Sequence, residues 1–163
     1  MSKMLTNLMS NTWTMQDIHV IAHCLLNPSV RLKGLKPPER PDLSDTIIQL
    51  PCPEFIFLGP KRWEMTKEQL DIPKYRRFCR QVFQPTADTI EMLYHSGHPI
   101  TLVGIPGSPS CGALTTSTGM EGGRLREAEH THIQCSGIFF EEIIRELEQR
   151  EIKFNMMDLN IIH

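Results

Sequence analysis

Ile18-His19-Val20-Ile21-Ala22, Ile47-Ile48-Gln49-Leu50 and Ile100-Thr101-Leu102-Val103-Gly104-Ile105 decide the fold of this chain. Each run is short, rich in β-branched side chains and bounded by Pro, Gly or Asn, the pattern of strands buried on both faces. Between the second and third runs, Tyr75 to Ser96 is helical in pattern, with Phe78, Val82 and Phe83 in its first part and Ile90, Leu93 and Tyr94 in its second. Pro85 is expected to split or kink that helix, and Gly97 to stop it. A second helix is predicted from Gly137 to Gln149, with Ser136 as N-cap and Phe139, Ile143, Ile144 and Leu147 on one stripe. Lys153-Phe154-Asn155-Met156-Met157-Asp158-Leu159 follows it and is read as a fourth strand that closes the sheet.

Strands that alternate with helices imply an α/β fold, a mostly parallel sheet of about four strands with helices on both faces in a Rossmann-like or flavodoxin-like three-layer arrangement. The exception is the segment from 25 to 46, where LKGLKPPERPD holds too many prolines for a crossover helix. An irregular connection is expected there.

The bulk numbers agree with one domain. A chain of 163 residues, 40% hydrophobic and 22% charged, can bury a single core. We read residues 1–16 as an N-terminal extension and 17–163 as the α/β domain. Net charge is −2, and no stretch concentrates Lys and Arg, so neither a nucleic acid duplex nor a membrane surface is an expected partner. The first sixteen residues are broken by Asn, Ser and Thr and lack the apolar core of a signal peptide. Five cysteines, an odd number without an export signal, argue for reduced thiols used in chemistry or metal binding. A cytoplasmic location is expected, and homo-oligomerisation is left open.

In an open parallel sheet the loops that leave the carboxyl ends of the strands gather along one edge, where such folds bind ligands. Cys24 comes two residues after the first run, Cys52 two after the second and Cys111 six after the third, so all three should converge there. Cys79 sits inside a helix beside Phe78 and Val82 and reads as a small buried hydrophobe. Cys135 lies just before a helix and is an alternative fourth ligand. Spacing alone names no metal, because no CxxC pair is present.

The flanking residues add more. His23-Cys24-Leu25-Leu26-Asn27 with Val30-Arg31 and Gly34, then Cys52-Pro53-Glu54, then Ser108-Pro109-Ser110-Cys111-Gly112, occur in this order. On these motifs, from about Asp17 onward and including Gly122-Gly123-Arg124-Leu125, the chain resembles the thiouracil desulfidase family, in particular its shorter branch. The resemblance implies a desulfidase-like domain that holds a [4Fe–4S] cluster through Cys24, Cys52 and Cys111, with one iron left open. It further implies capture of a thiocarbonyl sulfur at that iron, water attack at the carbon and release of sulfide from a small thiolated substrate such as a thiolated nucleobase. The family's Tyr-Asp after the first Val-Arg is replaced here by Leu32-Lys33, so thiouracil itself is not the implied substrate.

Glu54, two residues after Cys52, is the candidate general acid–base; its structural alternative is a hydrogen-bonded loop carboxylate or an ion pair with a nearby Arg. Ser108 is the candidate hydroxyl for positioning substrate or water, and Ser110 is its neighbour across the proline. His130 and His132 alternate upstream of Cys135 and would suit zinc or a solvated loop, while His23 would point away from the cluster. Arg31, Lys33, Arg62 and Lys67 are candidate partners for an anionic substrate group, and Trp63 is read as packing, with stacking on a heterocycle as the alternative. Two other readings explain fewer residues. A non-enzymatic iron–sulfur or zinc thiol carrier leaves Glu54 and the serines without a role, and a Cys111 nucleophile with a histidine base leaves Cys24 and Cys52 without one.

Overall fold

In the computed structural model, which describes residues 15–38, 40–42, 46–123 and 130–159, the apolar runs line up as one parallel sheet. In chain order the strands are β1 (Ile18–Ile21), β2 (Thr46–Gln49), β3 (Ile100–Gly104), β4 (Thr116–Thr118), β5 (Thr131–Ile133) and β6 (Asn155–Asp158). The helices are α1 (Pro53–Leu58), α2 (Lys67–Leu70), α3 (Pro73–His95) and α4 (Ile138–Gln149). The main sheet has the order β2-β1-β3-β6, and every pair in it is parallel. β4 and β5 form a separate antiparallel ribbon. This is a single α/β domain with a Rossmann-like layout. Most of the expected N-terminal extension lies outside the described residues.

Register explains why the central strands read so plainly. Ile18 pairs with both Thr46 and Ile100, so β1 is flanked on both sides, and all five residues of β3 are buried. β2 departs from the expectation of burial on both faces: Thr46 and Gln49 are exposed, because β2 is an edge strand. The connection between β1 and β2 is irregular, as its prolines require, and carries two short 3₁₀ turns at His23–Leu25 and Pro28–Val30.

α3 corrects the expectation that Pro85 splits it. It runs unbroken through Pro85, since Tyr75, Cys79 and Phe83 before the proline and Ala87 and Ile90 after it are all buried on one stripe. Their burial outweighs the lost backbone hydrogen bond, a local cost of about 3 kcal/mol. α4 packs against α3, with the Phe83 and Phe139 rings edge to face at 6.3 Å. Glu142, buried on α4, accepts from Arg76 at 2.9 Å, Arg80 at 3.0 Å and Arg145 at 3.2 Å, which pins the polar seam between the two helices. The predicted Ser136 cap is replaced by Gly137. Ser136 instead donates to the Ala113 carbonyl at 2.6 Å.

Because the four strands run the same way, Ile21, Gln49, Gly104 and Asp158 end along one edge of the sheet.

Candidate functional site

That edge opens into a cleft of about 360 Å³, and Cys24, Cys52 and Cys111 all line it together with Glu54 and Ser108. Each reaches the cleft by a different local device. The polypeptide leaves β1 into a 3₁₀ turn that contains Cys24. Cys52 is the N-cap of α1, whose first position is Pro53, a residue with its φ preset for a helix start. Cys111 sits in a tight loop after β3, where its carbonyl accepts from Ile105 N at 2.8 Å and its own N–H donates to Ser108 Oγ at 3.0 Å. A Cβ on Gly112 would stand 1.9 Å from the Thr115 carbonyl, so only glycine allows that turn.

The Cys111 loop and α4 brace each other. The first-turn N–H groups of α4 have no side-chain cap; Ile138 N donates to Pro109 O at 2.9 Å, and Phe139 N to Ser110 O at 3.0 Å. A second brace comes from Asp158 at the end of β6. Its carboxylate accepts from Ala113 N at 2.7 Å, Leu114 N at 3.0 Å and Thr115 N at 3.1 Å. Sequence reading passed over this residue, although a lone acid at the carboxyl end of a predicted strand was the available signal. Asp158→Asn turns one of these acceptors into a donor facing an N–H. We expect it to cost about 1–3 kcal/mol in urea unfolding and to leave β1 and β2 intact by hydrogen exchange.

Glu54 holds two partners at once. Ser110 Oγ donates to Oε1 at 2.8 Å, and Arg62 Nε donates to Oε2 at 3.3 Å. Behind them Tyr75 OH lies 2.8 Å from Ser110 Oγ, fully buried, so a chain of polar groups runs from the core to the cleft. Arg62 also donates to Val30 O at 2.8 Å, so it links the Pro28–Val30 turn to Glu54 on α1. Of the two serines, Ser108 lines the cleft and Ser110 is buried behind Glu54. Glu54 therefore both faces the cleft and makes the ion pair that its structural alternative described.

The three thiols share an environment. Burial pushes Cys24 up from the ordinary 9.0 to about 11, opposed by the Arg31 guanidinium. Burial also raises Cys52, and raises Cys111 well above 9.0 with the nearness of Cys52 and Cys24 as further causes. Metal-free, they stand as protonated thiols, and metal binding at them would release protons. Among the described residues no three His, Cys, Asp or Glu side chains converge on a single metal ion. A multi-iron cluster draws on donors spaced more widely, since each thiolate meets a different iron. Three soft donors on the wall of one cleft suit that group.

The remaining candidates separate clearly. Cys79 is fully buried in α3, as expected. Cys135 does not line the cleft: its Sγ lies 2.9 Å from Lys67 Nζ and 3.7 Å from the Glu141 carboxylate. His130 and His132 do line it, with His130 Nδ1 3.3 Å from Glu64. His23 Nδ1 meets Leu50 O at 2.8 Å and joins the ends of β1 and β2. Lys33 lies on a shallow neighbouring cleft that shares Arg31, Leu32 and Leu35. Trp63 is 77% exposed and is not the packing residue that the sequence suggested.

An α/β domain with a thiol-lined cleft at the carboxyl edge of its sheet is thus defined by the geometry. The chain is similar to an uncharacterized protein of Methanocaldococcus jannaschii, 31% identical over 103 residues that cover 58% of this chain and 66% of that protein. The matched part spans just under two thirds of that relative's length. Neither a protein-family profile nor a solved structure matches the chain. The likeness to desulfidases therefore rests on the motifs around Cys24, Cys52 and Cys111. No helix among the described residues is long and apolar enough to cross a membrane.

Proposed function

We propose that this protein is an iron–sulfur-dependent desulfidase that removes sulfur from a small thiocarbonyl compound and releases sulfide. The observation that carries the reading is that cysteines from three separate strand ends meet in one cleft with a carboxylate beside them. Cys24, Cys52 and Cys111 would hold a [4Fe–4S] cluster, leaving one iron without a protein ligand. When bound, that cluster supplies a soft Lewis acid that selects thiolated over oxygenated compounds.

The rest of the chemistry falls to this chain's own side chains. Glu54, oriented by Ser110 and Arg62, takes a proton from the attacking water and returns it to the departing group. Ser108 fixes the Cys111 loop through the Cys111 N–H and presents its edge of the cleft to the substrate. Val30, Leu32, Leu35, Met65 and Ile105 give the cleft apolar walls that suit a flat heterocycle and exclude bulk water. A nucleophilic Cys111 is disfavoured, because a buried thiol raised so far above 9.0 offers little thiolate at neutral pH.

The test is anaerobic reconstitution with iron and sulfide, followed by assay of sulfide release from a panel of thiolated pyrimidines, purines and thioamides. Release from at least one compound, dependent on iron, is the expected result. Iron binding without release from any of them points to a cluster carrier, and stoichiometric zinc in place of iron rejects the cluster altogether.

A further inference from the structure

Arg31 is the charged side chain of the cleft that the proposed chemistry leaves without a task. Arg62 is taken by Glu54 and two carbonyls, and Glu64 is taken by His130. Arg31 Nη1 points at Cys24 Sγ, 3.8 Å away, and its Nε is buried without a hydrogen-bond partner. Among the described residues no carboxylate pairs with it. The backbone that carries the side chain is nonetheless held in place. Val30, just before it, is buried, and the Val30 carbonyl is fixed by Arg62 at 2.8 Å. A guanidinium cannot shed its charge, and a half-buried one with no carboxylate beside it among the described residues favours a negative partner in the cleft. A neutral thiol at Cys24 does not balance it. Thiolates gathered around a cluster do, because their summed charge outweighs that of the iron–sulfide core.

We infer that Arg31 is the built-in counter-charge of the cluster, a positioning residue that donates N–H···S bonds to the Cys24 thiolate. The inference rests on the desulfidase reading only in needing a cluster on Cys24, Cys52 and Cys111. Cationic donors on ligand sulfur stabilise the electron-rich state, so Arg31 raises the reduction potential and withdraws electron density from the irons. With Arg31 in place, an iron left open in that cluster would accept a neutral thiocarbonyl sulfur more strongly.

The experiment is a redox titration, followed spectroscopically, of anaerobically reconstituted wild type, Arg31→Met, Arg31→Gln and Arg31→Lys, each with its iron counted. A more negative potential is expected for Arg31→Met and Arg31→Gln, with Arg31→Lys restoring most of the wild-type value. If Arg31→Met fails to fold or load, the Gln and Lys variants decide between them by the same order. Iron-loaded variants that all titrate at the wild-type potential overturn the inference, as does a Lys variant shifted as far as Gln, which would make shape rather than charge the cause. A raised KM for acidic substrates with an unmoved potential also overturns it, assigning Arg31 to substrate instead. Wild type that takes up no iron overturns the cluster reading as a whole, a result distinguishable from the others because it appears before any substitution is made.

Discussion

Replacing Cys24, Cys52 or Cys111 singly with alanine should abolish iron retention after anaerobic reconstitution, while Cys79→Ala and Cys135→Ala should retain as much iron as the unmodified protein. The expectation follows from where the thiols stand. The first three line the same cleft and influence one another's ionisation, whereas Cys79 is sealed into α3 and Cys135 is engaged by Lys67 and Glu141 outside it. Removing one of three ligands leaves two irons open and the cluster free to dissociate. Circular dichroism guards against loss of fold, since Cys111 is buried and its truncation opens space beside the Ser108 loop. Loss of iron in Cys135→Ala would mean a fourth protein ligand, and the open coordination position on which the mechanism depends would be gone.

Glu54→Gln should lower turnover by about 10²–10⁴-fold with iron content unchanged, the range that general acid–base groups contribute. Gln keeps the shape of the side chain and one acceptor for Ser110 Oγ, which in the native protein lies 2.8 Å from Oε1. It loses the charge opposite Arg62 and the capacity to take a proton from water. Thiolated compounds should still bind, so KM moves little while kcat falls. A loss of less than roughly tenfold would assign the carboxylate to loop structure, because a group that moves no proton has no such effect on kcat. Ser108→Ala, assayed alongside, then decides whether the hydroxyl facing the cleft has the larger share.

Much of this arrangement was legible before any coordinates. β1 and β3 announced themselves because central strands of a parallel sheet are apolar throughout, and placing the cysteines just beyond them required only the rule that such sheets gather their loops at one edge. The edge strand β2 looked alike in composition, yet its burial depends on which neighbour it lacks, something that strand order decides and local sequence does not. Pro85 misled for a related reason: the anchoring of α3 on both sides of it is tertiary. In the cleft, residue types and positions were readable, but their pairing was not. Ser110, not Ser108, reaches Glu54, because the Ser108 hydroxyl is turned back on the Cys111 N–H of its own loop. The burial of the Arg31 Nε, and the absence of a carboxylate partner among the described residues, likewise had no signature in the order of residues.

The clamp that Asp158 places on residues 113–115 has a consequence for biosynthesis. During translation Cys24, Cys52 and Cys111 all leave the ribosome before Asp158 does, yet the loop that aims Cys111, already tied to α4, gains its second brace only when β6 has added itself beside β3. A nascent chain that has exposed every sulfur donor is therefore still without a finished socket. If the chain carries the cluster proposed here, its delivery belongs after the fourth strand of the sheet has docked, since a scaffold that offered it earlier would meet a Cys111 loop held from one side only.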